Sequence, residues 1–307
     1  MTALNAPHFH DDDKARAYLE SVRWANGVVC PHCKSTGDHY ALTGKGGEKG
    51  TKARPGLWKC QDCRKQFSVT VGTVFERSKI PLSKWLAAAY LLCSSKKGIS
   101  AHQLHRTLGV TYKTAWFLAH RIRFAMADQG GGLMGEGGGT VEADETYIGR
   151  KPGRRVRAGH GHKETVFSLV ERGGNVRSTH ITGKVFAGVK RALKQNVSGE
   201  AVLMTDDARM YRKIAQRFAD HQAVNHSKGE YVRGDAYTNT VEGVFSIFKR
   251  GMIGTYQHCS SDHLHRYLAE FDFRYNHRAS LGIEDGARVV DALKGIEGKR
   301  LTYRTVS

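Results

Sequence analysis

The chain has 307 residues, 40% of them hydrophobic, which is enough for a sizeable core and more than one domain. The longest apolar run in the middle, Trp85–Cys93, is far too short to span a bilayer, and the acidic N-terminus MTALNAPHFHDDDK lacks the apolar core of a secretory signal, so the cytoplasm is the expected compartment. A net charge of +19 suits a polyanionic partner, and nucleic acid ranks above a membrane because no basic amphipathic helix with aromatic anchors stands out.

Residues 11–26 read as a short helix. Asp11, Asp12 and Asp13 stand at its start, where carboxylates complement the helix dipole, and nothing else converges there to make them a metal site. Residues 28–70 carry two Cys-x-x-Cys pairs around a Gly- and Lys-rich segment, TGKGGEKGTKARPG, expected to be a mobile loop. Cys30 with Cys33 and Cys60 with Cys63 can each form a tight knuckle, and two knuckles give a closed tetrahedral site of structural zinc type. Such a site staples a region too small to hold itself together. His32, inside the first knuckle, is expected to be exposed; Cys93 and Cys259 are expected as small apolar fillers.

Residues 82–127 look helical, with apolar residues recurring at three and four. Within them, residues 99–123 have the layout of a helix-turn-helix. Ser100 caps a first helix, Leu108-Gly109-Val110 makes a turn, and Thr111 caps a second. Tyr112, Lys113 and Thr114 then stand at the end of the helix that would touch base edges, while Trp116, Phe117 and Ile122 would face the core. The Gly-dense run QGGGLMGEGGG, residues 129–139, reads as a linker.

Strand-like runs follow at 140–149, 165–172, 176–182 and 201–207, with a hairpin turn at Gly173-Gly174-Asn175. A helix is expected over 185–195, and two more near 238–251 and 262–277. This order fits an α/β layer domain.

Asp144 lies in one strand-like run, Asp206 ends another, and Glu242 lies on a helix with thirty-five residues between it and Asp206. Three carboxylates so placed can converge on a pair of Mg²⁺ ions, which prefer oxygen ligands and would clamp an in-line phosphoryl displacement. Lys249 follows Glu242 by seven residues, two helical turns, and so shares its face. Glu142 and Glu145 flank Asp144 and are expected to turn to the other face as solvated or structural groups. Asp207 is the less favoured neighbour of Asp206. Asn239, three residues before Glu242, is either a ligand itself or a helix-start residue. The loop 149–163, GRKPGRRVRAGHGHK, directly follows the Asp144 strand and is either a phosphate grip, through Arg150, Lys151, Arg154 and Arg155, or a solvated loop tip. Leu264, Leu268, Phe271 and Tyr275 form a core stripe on the last helix, and Asn276, His277 and Arg278 near its end are expected by the site.

Over nearly its whole length the chain resembles bacterial insertion-sequence transposases that join an N-terminal zinc ribbon to a DDE-type, RNase H-like domain. The resemblance rests on Trp24 with Gly27, CPHC (30–33), CQDC (60–63), FSVTVGTVFERSKIPLSKW (67–85), EADETYIGRK (142–151), TDD (205–207) and TNTVEGVFSIFKRGMIGTY (238–256). It implies cleavage at transposon ends and strand transfer to a target with Mg²⁺ or Mn²⁺. Asp144 and Asp206 match the first two acidic positions, and Asn239 and Glu242 both stand in the helix of the third. Lys249, with Arg250 beside it, matches a basic position expected to contact DNA.

The expected fold class is therefore α/β: an RNase H-like mixed sheet flanked by helices, preceded by a small zinc ribbon and an all-α helix-turn-helix module. The expected division is a zinc ribbon with a short helix at 1–75, a helix-turn-helix at 76–128, a linker at 129–139, a catalytic domain at 140–285 and a tail at 286–307. Double-stranded DNA, at element ends and target, is the expected partner, no membrane association is expected, and bringing two ends together implies a homodimer or higher assembly. Two rivals share these features: a zinc-ribbon DNA-binding regulator with an inert catalytic fold, and a metal-dependent nuclease that hydrolyses without joining.

Overall fold

A computed structural model of the chain describes residues 3–42, 54–127, 131–225, 228–230 and 232–301. It divides into two units, Met1–Ala127 with Ala279–Ser307, and Asp128–Arg278. Residues 43–53 of the Gly- and Lys-rich segment and residues 129–130 of the Gly-dense run lie outside the described residues. Among the described residues no helix is long and apolar enough to cross a membrane.

In the first unit, α1 spans Asp12–Arg23, and Asp11 caps it by accepting from the Lys14 amide. Asp12 accepts from the amide and hydroxyl of Ser83, at the start of α2 (Leu82–Ser94), so the acidic triplet starts one helix and ties it to another. Three short antiparallel strands, β1 (His39–Ala41), β2 (Trp58–Cys60) and β3 (Gln66–Phe67), carry the cysteine region. Trp24 closes over them edge-on to Trp58 and Phe67.

The helical run from residue 82 is broken where the capping residues stand. Ser100 accepts from the Gln103 amide to start α3 (Ala101–Leu108), and Thr111 accepts from the Thr114 amide to start α4 (Tyr112–Met126). Between them Gly109 takes φ +60°, left-handed backbone that a side chain would strain.

The C-terminal segment is no tail. Residues Asp285–Lys294 form a helix that packs on α1, α2 and α4 through buried Val289, Ala292 and Leu293. Buried Arg288 donates to the Cys93 carbonyl, and Lys299 donates to the carbonyls of Ala125 and Ala127 at the end of α4, where orphan carbonyls need a donor. The segment therefore completes the helical unit, and no compact boundary falls at residue 75.

The second unit is built on a five-stranded mixed sheet. The strands are β4 (Thr140–Ile148), β5 (Glu164–Glu171), β6 (Val176–Ile181), β7 (Val202–Asp206) and β8 (Asp220–Val224), in the order β6-β5-β4-β7-β8. The pairs β6–β5 and β5–β4 are antiparallel; β4–β7 and β7–β8 are parallel. One face packs against α5 (Val185–Asn196) and α6 (Arg209–Ile214) through Val141, Ala143, Phe167, Leu169, Leu193 and Tyr211. The other packs against α7 (Asn239–Gly251) and α8 (Ser261–Asn276) through Val166, Val170, Phe245, Phe248, Leu268 and Phe271. With both faces covered, β5 is buried almost end to end, its polar Thr165 and Ser168 included.

The Gly-dense run does not act as a free linker over its described part. Met134 is buried and exchanges backbone bonds with Asn196 and Ser198. Gly135 sits at φ +74° where an added Cβ would come within 2.5 Å of the Ala201 side chain, so its glycine serves close packing.

Ser100→Ala and Thr111→Ala are each expected to lower the unfolding free energy by about 1 kcal/mol, read by urea unfolding followed at 222 nm. Unchanged midpoints in both variants would show that these caps do not hold the helix pair.

Candidate active site and metal centre

The two cysteine knuckles are near copies. Lys34 and Arg64, each directly after the second cysteine of its pair, adopt left-handed φ of 63° and 61° and turn the chain back. The Sγ atoms of Cys30 and Cys63 stand 3.7 Å apart, as do those of Cys33 and Cys60, and all four lie within 4.8 Å of one another. A tetrahedral zinc with Zn–S bonds of about 2.3 Å has S···S edges of about 3.8 Å, so the free thiols fit that ion. Burial pushes the Cys30 thiol up, but amide donors from Cys33 and His32 and the neighbouring thiols outweigh it and bring it down to about 7. His32 is exposed, Cys93 is buried, and Cys259 packs at the margin of the core under α7 and α8, as their sequence setting suggested.

The acidic residues meet in the second unit. The parallel register that pairs Thr140 with Val202 and Glu142 with Met204 carries Asp144 level with Asp206, one strand over and on the same face. From α7, Glu242, Phe245, Ser246 and Lys249 point into the same space, at helical intervals of three and four. Together with Glu145 and Thr146 they line an open cleft of about 470 Å³. Asp207 lies outside it, exposed and bound to Arg212 and Asn225. Burial pushes the Asp144 carboxyl up to about 8, and the nearby charges of Glu145, Asp206 and Glu242 add to the rise against one amide donor, Glu145 N at 2.7 Å. Glu145 is likewise pushed by burial to about 6, although the Tyr211 hydroxyl donates to it at 2.5 Å. These carboxylates, unlike the thiols, do not crowd within 4.8 Å as a set of three.

Residues 137–276 match the ISXO2-like transposase domain, and residues 10–66 match the transposase zinc-ribbon domain. A protein of Halobacterium salinarum, described as an uncharacterized protein in transposable element ISH50, is 30% identical over 290 residues, 87% of this chain and 91% of that protein. The chain belongs to the ISXO2-like transposase family.

Within this transposase domain the structure moves two residues from their expected places. Glu142 does not turn away from Asp144. Two residues apart on a strand, they share a face, and Glu142 is wholly buried beneath the start of α7. It accepts from the amides of Thr240 and Val241 at 2.9 and 3.1 Å, from the Thr240 hydroxyl at 2.8 Å and from Arg172 Nε at 2.7 Å. Thr238, the residue before α7, makes no side-chain cap, so a carboxylate from the sheet does that work. Arg172 is held in turn by the carbonyls of Asp235 and Tyr237 and lies 3.5 Å over the Tyr237 ring. Glu145, on the other face of the strand, also lines the cleft, beyond the last residue of β4 that pairs with β7, Glu142. The period-two pattern held the signal for Glu142; nothing in the sequence marked Glu145.

Asn239 is exposed at the first position of α7 and does not line the cleft. Arg250 folds back on the Ser246 carbonyl and hydroxyl. Arg150, Arg154 and Arg155 are exposed on the loop that leaves β4, Lys151 is half-buried, and His160 stacks on Tyr147 of that strand. Asn276 and Arg278 are not by the cleft: they bind Val176 and the Gly174 carbonyl, fastening α8 to the β5–β6 hairpin. In the first unit Tyr112 is exposed against His102, and Ile122 is buried, but Trp116 and Phe117 are half-buried and line a cavity instead of the core.

Glu142→Ala leaves Arg172 and two helix amides without their acceptor and is expected to cost about 3–5 kcal/mol in chemical denaturation. Glu142→Gln, which keeps an acceptor oxygen, should cost less; equal losses would show that acceptance by residue 142 is not what holds α7.

The raised Asp144 carboxyl also fixes a pH dependence. Without divalent cation, unfolded Asp144 ionises near its ordinary value of 3.8 while the folded group stays protonated up to about 8, so stability falls across that window and then levels. Asp144→Asn removes this loss, and at pH 8 it is expected to raise the cation-free melting temperature by at least about 3 °C, the shift that about 1 kcal/mol produces in a domain of this size. A lower melting temperature would contradict the assigned electrostatics.

Proposed function

We propose that the protein binds the ends of an insertion sequence and catalyses metal-dependent DNA cleavage and strand transfer, with Asp144, Asp206 and Glu242 holding Mg²⁺ or Mn²⁺. The observation that carries this reading is the meeting of the three carboxylates with Lys249 in one cleft of a transposase-family domain. The relative's place in a transposable element supports it. Bound there, divalent ions would polarise the scissile phosphate and ease deprotonation of the attacking water or 3′-hydroxyl.

The protein's own part is positioning. Parallel strands keep Asp144 and Asp206 level, and Glu142 keeps α7 seated so that Glu242 faces them. Glu145, held by the hydroxyl of buried Tyr211, adds charge at the cleft edge. Lys249, two turns beyond Glu242, grips a phosphate of the reacting strand, and Arg150, Lys151, Arg154 and Arg155 hold the flanking backbone. Arg250 supports that grip from the next position. Glu242 is favoured over Asn239 as the third ligand because it alone of the two lines the cleft. In the helix-turn-helix, Tyr112, Lys113 and Thr114 contact the element end, and a homodimer or larger assembly brings two ends together. Converging carboxylates argue against an inert regulator; a hydrolytic nuclease would use the same cleft and is separated by its products.

The experiment is strand transfer of labelled terminal DNA into a plasmid with Mg²⁺. Joined products are expected from the wild type, Asp206→Ala and Glu242→Ala should reduce them by on the order of 1,000-fold, and Asn239→Ala should retain most activity. Full activity in Asp206→Ala would overturn the assignment, and cleaved but never joined strands would favour the nuclease.

A further inference from the structure

A second cavity, of about 430 Å³, lies in the first unit between the segment 77–80 and one face of α4. Its lining charges are all positive: Arg77, Lys79, Lys113 and Arg121 contribute, and no carboxylate does. Its walls include the half-buried rings of Trp116 and Phe117. Arg121 is 5% exposed and lies 5.2 Å from the Trp85 ring centroid and 5.5 Å from that of Phe117. One of its terminal nitrogens donates to the Glu76 carbonyl, while its Nε has no hydrogen-bond partner. Burial lowers its pKa, so a buried guanidinium is being kept next to an apolar cavity at a cost. At the rim, Arg77 holds a left-handed φ of 57°, an unfavourable conformation for a residue with a side chain. Its guanidinium is largely exposed, and the nearby Glu76 carboxylate, 3.7 Å from it, stays outside the cavity lining.

Cations at the mouth and aromatic rings in the wall match the two halves of a nucleotide. A phosphate seeks the former and a base seeks the latter, because every base has a π-face that stacks on an aromatic side chain. A duplex offers phosphates but keeps its bases stacked on each other, so the aromatic wall would go unused. We propose that this cavity takes one unpaired nucleotide of DNA, its phosphate at Arg77, Lys79 and Lys113 and its base against Trp116 and Phe117. The site rests on the reading of DNA as substrate, but not on the chemistry of the acidic cleft.

The test uses the full-length protein without added divalent metal and a short single-stranded oligonucleotide carrying one 2-aminopurine, whose fluorescence is quenched on stacking. Quenching on binding is expected for the wild type. The double variant Arg77→Gly with Lys79→Ala keeps the left-handed backbone and leaves the apolar packing alone. It should weaken single-strand binding about 10-fold or more and lower the salt slope by about 0.7 for each phosphate that is no longer neutralised. Trp116→Leu should remove the quench while leaving most of the salt dependence; where that variant fails to melt cooperatively, the rim variant decides. Unchanged single-strand affinity in the rim variant would overturn the proposal. So would an equal loss on a blunt duplex, which would assign these cations to duplex backbone. An oligonucleotide quench that persists while strand transfer is absent would leave this site standing and remove the proposed reaction instead.

Discussion

The carboxylate of Glu142, buried between the sheet and the first turn of α7, is the contact on which the rest of the cleft depends. An isolated buried charge costs several kcal/mol, and here Arg172, the Thr240 hydroxyl and two helix amides offset that cost. The consequence is geometric. One strand, β4, carries both the group that seats α7 and, two residues on, Asp144. The parallel register with β7 then sets Asp206 beside Asp144, and helical periodicity sends Glu242 and Lys249 toward both. Three elements distant in sequence are brought to one cleft by one strand.

The two candidate metal centres follow opposite physical rules. The four thiols crowd to a single tetrahedron and close it, which suits an ion with a folding role. The carboxylates of the cleft line an open space without gathering into one tight set, and burial, with the charges of Glu145, Asp206 and Glu242 adding to it, lifts Asp144 to about 8. A group of acids held together against their own repulsion gains most from a divalent cation, and Lys249 lines the same cleft. Under the proposed function, the Asp144 charge that destabilises the cation-free fold is the charge a metal would use.

Much of this was legible in the residues because it is local. Cysteine spacing, the caps at Ser100 and Thr111, the turn at Gly109 and the apolar runs of β4 to β7 each act over a few positions, and each appears where the sequence placed it. What the sequence hid is tertiary. The strand Asp220–Val224, reading DHQAV, sits at a sheet edge and so carries too few apolar residues to announce itself. The helix Asp285–Lys294 has a short apolar stripe whose partners lie almost 200 residues earlier, as the Arg288–Cys93 bond shows. Glu142 read as a solvated or structural acid on the opposite face, and its partners, Arg172 and the start of α7, decide for the structural role on the Asp144 face. Trp116 and Phe117 have core-like spacing, yet they border a cavity, because spacing specifies a face and not what stands opposite it.

Whether the three carboxylates hold metal is read from a crystal structure of the full-length protein soaked in Mn²⁺, with the ions located by anomalous scattering. Manganese peaks are expected in the cleft, bound by Asp144 and Asp206 with Glu242 completing the set and Asn239 unengaged. Manganese bound elsewhere, or held through Asn239 with Glu242 turned away, would contradict it.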